Sequence, residues 1–117
     1  MLLVTGAKGQ LGTALQTTLP DAIAVGAKEL DITDAEAVRD FVCNRGISVI
    51  VNCAAYTAVD RAEDEPEAAR AVNAVGAANL AKTGAAMIHI STDYVFDGYS
   101  SIPYMENSPT NPLSVYG

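Results

Sequence analysis

Glycines recur at every third residue in Thr5-Gly6-Ala7-Lys8-Gly9-Gln10-Leu11-Gly12, directly after the apolar run Leu2-Leu3-Val4. Few folds use such a stretch at that place. Behind it, Gln10 to Leu19 carries Leu11, Leu15 and Leu19 at helical spacing, so the segment reads as strand, glycine turn, helix. Gly6 can make the tight turn, Gly9 lets backbone approach a pyrophosphate, and Gly12 allows the helix to pack close to the sheet. The bland alternative is an ordinary strand-to-helix connection, and the strand before the glycines and the helix behind them argue against it.

The rest of the chain repeats the alternation. Pro20-Asp21 breaks the first helix, and Ala22-Ile23-Ala24-Val25 predicts a second strand ending at Gly26. Thr33 or Asp34 can cap a helix carrying Ala37, Val38, Phe41 and Val42 and running to about Asn44, with Gly46 behind it. Ser48-Val49-Ile50-Val51-Asn52-Cys53 is apolar on both faces, as a central parallel strand must be. The alanine-rich stretch Pro66 to Lys82 predicts one long helix closed by Gly84, and Ala86-Met87-Ile88-His89-Ile90-Ser91 a fourth buried strand. After Asp97-Gly98 the prolines Pro103, Pro109 and Pro112 mark a long irregular stretch. The expected fold class is α/β, a doubly wound parallel sheet of Rossmann type with right-handed crossovers, forming one domain over residues 1–117. Ligands of such sheets lie beyond the carboxyl ends of the strands, which gathers the glycine turn, Asn52 to Tyr56 and Ser91 to Asp93 along one edge.

Charge narrows the ligand classes. With 14 acidic against 7 basic residues the formal charge is -7, which speaks against nucleic acid as a partner. A phosphorylated small molecule is still admissible, because helix-start N–H groups bind phosphate without basic side chains. No run approaches the roughly 20 apolar residues of a membrane span and the N-terminus has no signal-peptide pattern, so a soluble, cytoplasmic protein is expected. Cys43 and Cys53 fit no metal-ligand spacing and are expected as buried thiols without a chemical role.

The Thr-Gly-x-x-Gly-x-x-Gly turn resembles that of the extended short-chain dehydrogenases/reductases, and the resemblance implies that Gly9, Gln10 and Leu11 line a pyrophosphate. At the tip of the second strand stand Gly26, Ala27 and Lys28, with no acid among them to exclude NADPH. Lys28 can pair with the extra phosphate or be a solvated loop lysine. The expected cofactor is NADPH, with NADH still open. Asp31-Ile32 resembles the family's adenine contact, its alternative being helix capping.

Asn52-Cys53-Ala54-Ala55-Tyr56-Thr57-Ala58-Val59-Asp60, continuing to Arg61-Ala62-Glu63, is similar to a signature of the dTDP-4-dehydrorhamnose reductases. That likeness implies Ala54, Ala55 and Tyr56 beside the cofactor, with Cys53 a packing variation where many relatives carry alanine. The acids Asp60, Glu63, Asp64, Glu65 and Glu67 raise the idea of a Mg2+ site, since some relatives are reported to use magnesium; they also precede or open a helix, where negative charge suits the dipole, and no metal ligand is assigned. Asn73 is expected to be structural, and His89 a core or strand-end histidine.

Ser91-Thr92-Asp93-Tyr94-Val95-Phe96 matches the family's string at the end of the fourth strand. The likeness makes Thr92 catalytic, its hydroxyl able to bond a ketone oxygen gaining negative charge, and places Thr92 and Asp93 against substrate. Pro112-Leu113-Ser114-Val115-Tyr116-Gly117 resembles the opening of the family's Tyr-x-x-x-Lys helix, which makes Tyr116 the general acid and a cofactor contact. A free tyrosine titrates near about 10, so the motif's lysine matters; it would fall at position 120, outside these residues. The resemblance covers the family's first part only. It implies a substrate-binding part elsewhere, and that residues 1–117 by themselves bind cofactor without turnover. The implied reaction is reduction of the C4 ketone of dTDP-4-dehydro-L-rhamnose to dTDP-L-rhamnose with NAD(P)H, the nucleotide sugar being the small-molecule partner. A homodimer is open. Two other readings also stay open: an epimerase or dehydratase of the extended class acting on nucleotide sugars, and a non-catalytic NADP-binding regulatory subunit.

Overall fold

The glycine turn is built by backbone packing against backbone. In the computed structural model, which describes residues 1–117, β1 (Leu2–Thr5) stops at Gly6, whose φ of 69° is a region that side chains disfavour. A β-carbon on Gly6 would sit 2.5 Å from the Cys53 carbonyl carbon, and one on Gly12 would overlap the Gly6 carbonyl oxygen. Inside α1 (Gln10–Thr18), Thr13 Oγ1 and Gln16 Nε2 donate to the Ala7 carbonyl at 3.3 and 2.8 Å and fasten the turn to the helix.

β2 (Ile23–Val25), α2 (Ala35–Asn44), β3 (Val49–Asn52), α3 (Val59–Asp64), α4 (Pro66–Arg70), α5 (Ala77–Ala81) and β4 (Ala86–His89) complete the order. All strand pairs are parallel, in the sequence β2-β1-β3-β4. The chain moves one way from β1 to β2 and the other way from β2 to β3. Right-handed crossovers therefore put α1 on one face and α2 with α4 and α5 on the other. On that second face Leu3, Val25 and Ile50 meet Leu30, Ile32, Val38, Val42 and Leu80 in one buried cluster. Each fully buried side chain there contributes about 1.5–3 kcal/mol. Asp34, not Thr33, caps α2, accepting from Glu36 N and Ala37 N at 3.0 Å. No helix is long and apolar enough to cross a membrane.

Three expectations need correction. The stretch from Pro66 to Lys82 is not one α-helix, because Ala71–Gly76 forms a wide π turn between α4 and α5. That turn coincides with two demands on one stretch of helix, in which Asn73 reaches the loop after β3 and Gly76 lies against Ile32, where a β-carbon would come within 2.6 Å of Cγ1. β4 is not buried. Within residues 1–117 it stands last in the sheet order, and Ile88 and, just beyond it, Ile90 are 58% and 45% exposed. Cys43 is an exposed thiol on α2 and Cys53 is half-buried, so neither is the buried thiol expected.

Residues 97–111 hold no helix or strand, yet they are tied together. The Asp97 carboxylate accepts from Tyr104 Oη at 2.7 Å, Asn111 Nδ2 at 3.0 Å and Tyr99 N at 3.0 Å, and the rings of Phe96 and Tyr104 stack at 4.3 Å. These three bonds hold the Asp97 carboxyl down to about 2, Asn111 contributing most.

Candidate active site

A cavity of about 760 Å³ lies along the carboxyl ends of the strands. Gly9, Gln10 and Leu11 form one wall, Ala54 and Ala55 a second, and Thr92 and Tyr116 the far end. The order follows from the sheet, since the turn after β1, the loop after β3 and the tip of β4 all open on the same edge.

The glycine wall is shaped for a close-lying group. A β-carbon at Gly9 would meet the protein only at the Gly6 carbonyl oxygen, at 3.3 Å, a tight contact but far short of the overlaps at Gly6 and Gly12. Its bare backbone instead borders the cavity. No backbone carbonyl accepts from the N–H groups of Gln10 or Leu11 at the start of α1, and Gly9 supplies no side-chain cap. Two donors and the positive end of a helix dipole thus stand beside open space, a combination that suits phosphate oxygens.

Past β3, small side chains at Ala54 and Ala55 leave the second wall flat. Partial burial raises the pKa of the Cys53 thiol beside them, which favours its protonated form. Asn73, which also lines the cavity, clamps the loop, its Oδ1 accepting from Tyr56 N at 2.8 Å and its Nδ2 donating to Tyr56 O at 3.0 Å.

At the β4 end, Thr92 Oγ1 accepts from Tyr94 N at 3.2 Å, so its hydroxyl caps a short 3-10 turn (Asp93–Val95). Its own proton has only a 3.5 Å contact with Asp93 Oδ1, leaving it free to turn toward a ligand. Tyr116 is half-buried and packs edge-on against Tyr94, with ring centroids 5.6 Å apart. Glu63 on α3 anchors the same segment by accepting from Val115 N at 2.9 Å. Asp93 lines a neighbouring hollow of about 420 Å³ together with Tyr94, Phe96, Leu113 and Ser114.

Several expected site residues lie elsewhere. Gly6 and Gly12 shape the turn without lining the cavity. Ile32 is 5% exposed in the core, and the Asp31 carboxylate is engaged by Thr33, whose Oγ1 and N donate to it at 2.7 and 2.9 Å and lower its pKa. Tyr56 turns away from the cavity and donates its hydroxyl to Glu65 at 2.7 Å, a bond that raises the phenol's pKa and lowers that of Glu65. Lys28 is exposed in the turn after β2 and has no ion-pair partner. The acids from Asp60 to Glu67 do not converge, and no group of His, Cys, Asp and Glu side chains able to hold a metal forms anywhere.

Sequence reasoning missed one contributor outright and the partners of three others. Glu29 places a carboxylate at the tip of β2, accepting from Gly26 N at 2.9 Å and pairing with Lys8 at 3.6 Å, so an acid does stand where none was expected. Asn73, expected only as structural, and Glu63 and Tyr94, present only as members of the family-like strings, hold loops through Tyr56, Val115 and Tyr116, partners that the sequence does not reveal.

The sequence matches the family described as RmlD substrate binding domain over residues 1–117. It is 48% identical to a dTDP-4-dehydrorhamnose reductase of Mycolicibacterium smegmatis, in an alignment covering 99% of this chain and 38% of the relative. The crystal structure of a dTDP-4-dehydrorhamnose reductase from Clostridium acetobutylicum superposes with a TM-score of 0.95 at 43% identity, covering 99% of this chain and 44% of that one. Its counterpart from Bacillus anthracis, in complex with NADP, gives 0.93 at 41% identity over 98% of this chain and 44% of that one. The chain thus spans less than half the length of these relatives. By the match along its whole length, this α/β chain belongs to the RmlD substrate binding domain family.

Proposed function

We propose that residues 1–117 are the dinucleotide-binding part of a dTDP-4-dehydrorhamnose reductase, which reduces the C4 ketone of dTDP-4-dehydro-L-rhamnose to the alcohol. One observation carries the reading. A single cavity joins a ligand-ready glycine wall at Gly9 to two hydroxyl donors, Thr92 and Tyr116. A relative 41% identical has been crystallised with NADP, and NADPH is accordingly the proposed cofactor, NADH an alternative.

NADPH, when bound, supplies a hydride. The chain supplies the rest. Gln10 N–H, Leu11 N–H and the bare Gly9 backbone would hold the pyrophosphate, and Ala54 and Ala55 would border the flat part of the dinucleotide. As the ketone carbon gains hydrogen its oxygen becomes an alkoxide. Thr92 Oγ1–H bonds that oxygen and Tyr116 Oη–H gives it the proton, leaving a tyrosinate that solvent reprotonates. A lysine four residues beyond Tyr116, as the Tyr-x-x-x-Lys pattern implies, would ease that loss; it belongs with the substrate-binding part to sequence outside these residues. Asp93, in the adjoining hollow, is proposed as a sugar contact.

The test follows NADPH absorbance on addition of dTDP-4-dehydro-L-rhamnose, using residues 1–117 and a chain extended to the relatives' length. Oxidation by the extended chain alone, lost in Tyr116→Phe, supports the reading. An extended chain that folds and binds NADPH but leaves the sugar unreduced rejects it.

A further inference from the structure

Three polar side chains run across the sheet beneath the cavity at one level. Thr5, Asn52 and His89 are register partners on β1, β3 and β4. Thr5 Oγ1 donates to Asn52 Oδ1 at 2.6 Å, Ala54 N donates to the same oxygen at 3.2 Å, and Asn52 Nδ2 lies 3.0 Å from His89 Nδ1. A backbone N–H can only donate, so the Ala54 contact fixes which end of the amide is oxygen. The NH2 group then faces His89, and Nδ1 must accept. The ring is accordingly neutral with its proton on Nε2.

We propose that His89 is a positioning residue for the dinucleotide. Its Nδ1 locks the Asn52 amide in the orientation whose oxygen holds both Thr5, which leads into the glycine turn, and Ala54, which begins the flat wall. Asn52 and Thr5 are each only 1% exposed while His89 is exposed and lines the cavity, so without an acceptor at position 89 the amide N–H trades a fixed partner for mobile water at the cavity edge. The amide is then free to turn, and its NH2 group would confront Ala54 N–H. Both cofactor-bearing segments slacken together. This rests on the reading of the cavity as the dinucleotide site.

Nitrogen-15 spectra of the imidazole in the full chain read the tautomer, and NADPH titration reads the consequence. The expected result is an unprotonated Nδ1, with NADPH Kd weakened about tenfold in His89→Leu. His89→Asn returns an acceptor oxygen at the Nδ1 position and should restore Kd to within about twofold. Melting temperatures of both variants show whether the loss is one of folding. A protonated Nδ1, or equal weakening by Leu and Asn, overturns the proposal. So does full affinity in His89→Leu, which removes the positioning role but leaves the cavity reading standing; a wild-type chain that binds no NADPH removes the cavity reading itself, and the proposal with it.

Discussion

Asn73 holds both polar backbone groups of a single residue, Tyr56, accepting from its N–H at 2.8 Å and donating to its carbonyl at 3.0 Å. The π turn at Ala71–Gly76 presents this side chain to the loop after β3, so a helix irregularity and a wall of the cavity are one feature. Asn73→Ala should therefore cost about 1–3 kcal/mol in urea unfolding, the range for half-buried groups left without partners. Asn73→Asp keeps the acceptor and loses the donor, and should fall between Ala and wild type. Equal stability of all three would show that the clamp contributes nothing.

The glycines of the turn divide into two kinds by what a methyl group would strike. At Gly12 it overlaps the Gly6 carbonyl, whereas at Gly9, which lines the cavity, it meets only that oxygen, at 3.3 Å. Gly12→Ala should unfold the chain or lower its melting temperature steeply. Gly9→Ala should leave circular dichroism and melting close to wild type while weakening NADPH by about tenfold or more, because the group it obstructs is the ligand. Similar losses of stability in both variants would remove the distinction.

Legibility in the sequence followed distance along the chain. The turn from Gly6 to Gly12, the cap at Asp34, the residues Ala54 and Thr92 after strand ends and Tyr116 in the last segment are written in neighbouring residues, and the parallel sheet then brought the strand ends to one cavity. Asn73 and Tyr56 are 17 residues apart, Asn52 and His89 37, and Glu63 and Val115 52, and no spacing rule links such partners. Ile32 shows a different limit. An apolar residue after an acid suits a ring contact and a core position equally, and only the approach of Gly76 decides for the core. The exposure of β4 was hidden because a strand's composition does not reveal how many neighbours it has.

Asp97 makes the 97–111 loop sensitive to acid. Its carboxyl is held at about 2 against an ordinary 3.8, so the folded loop favours the charged form. That stabilisation is fully present above 3.8 and is lost as the pH falls through about 2. Amide resonances of Tyr99 and the Asn111 side chain should shift together across this window, and Asp97→Asn should give the loosened loop already at neutral pH, seen as faster amide exchange at Tyr99. A Tyr99 amide indifferent to both changes would mean that the carboxylate does not hold the loop.

Cofactor choice should turn on two neighbours at the tip of β2. Glu29 holds Gly26 N at 2.9 Å and pairs with Lys8 at 3.6 Å, while Lys28 is free of any ion pair. A ribose placed at this tip meets a carboxylate that can accept from a 2′-hydroxyl and repel a 2′-phosphate, and a lysine that can do the opposite. Glu29→Gln should therefore tighten NADPH by about two- to fivefold and leave NADH unchanged or weaker, the scale of exposed charge pairs. Lys28→Ala should weaken NADPH by a similar factor without affecting NADH, and both effects should shrink as salt is raised. Parallel Kd measurements for the two cofactors read the ratio directly. If neither substitution moves that ratio, the ribose does not lie at β2 and selectivity must come from another wall of the cavity.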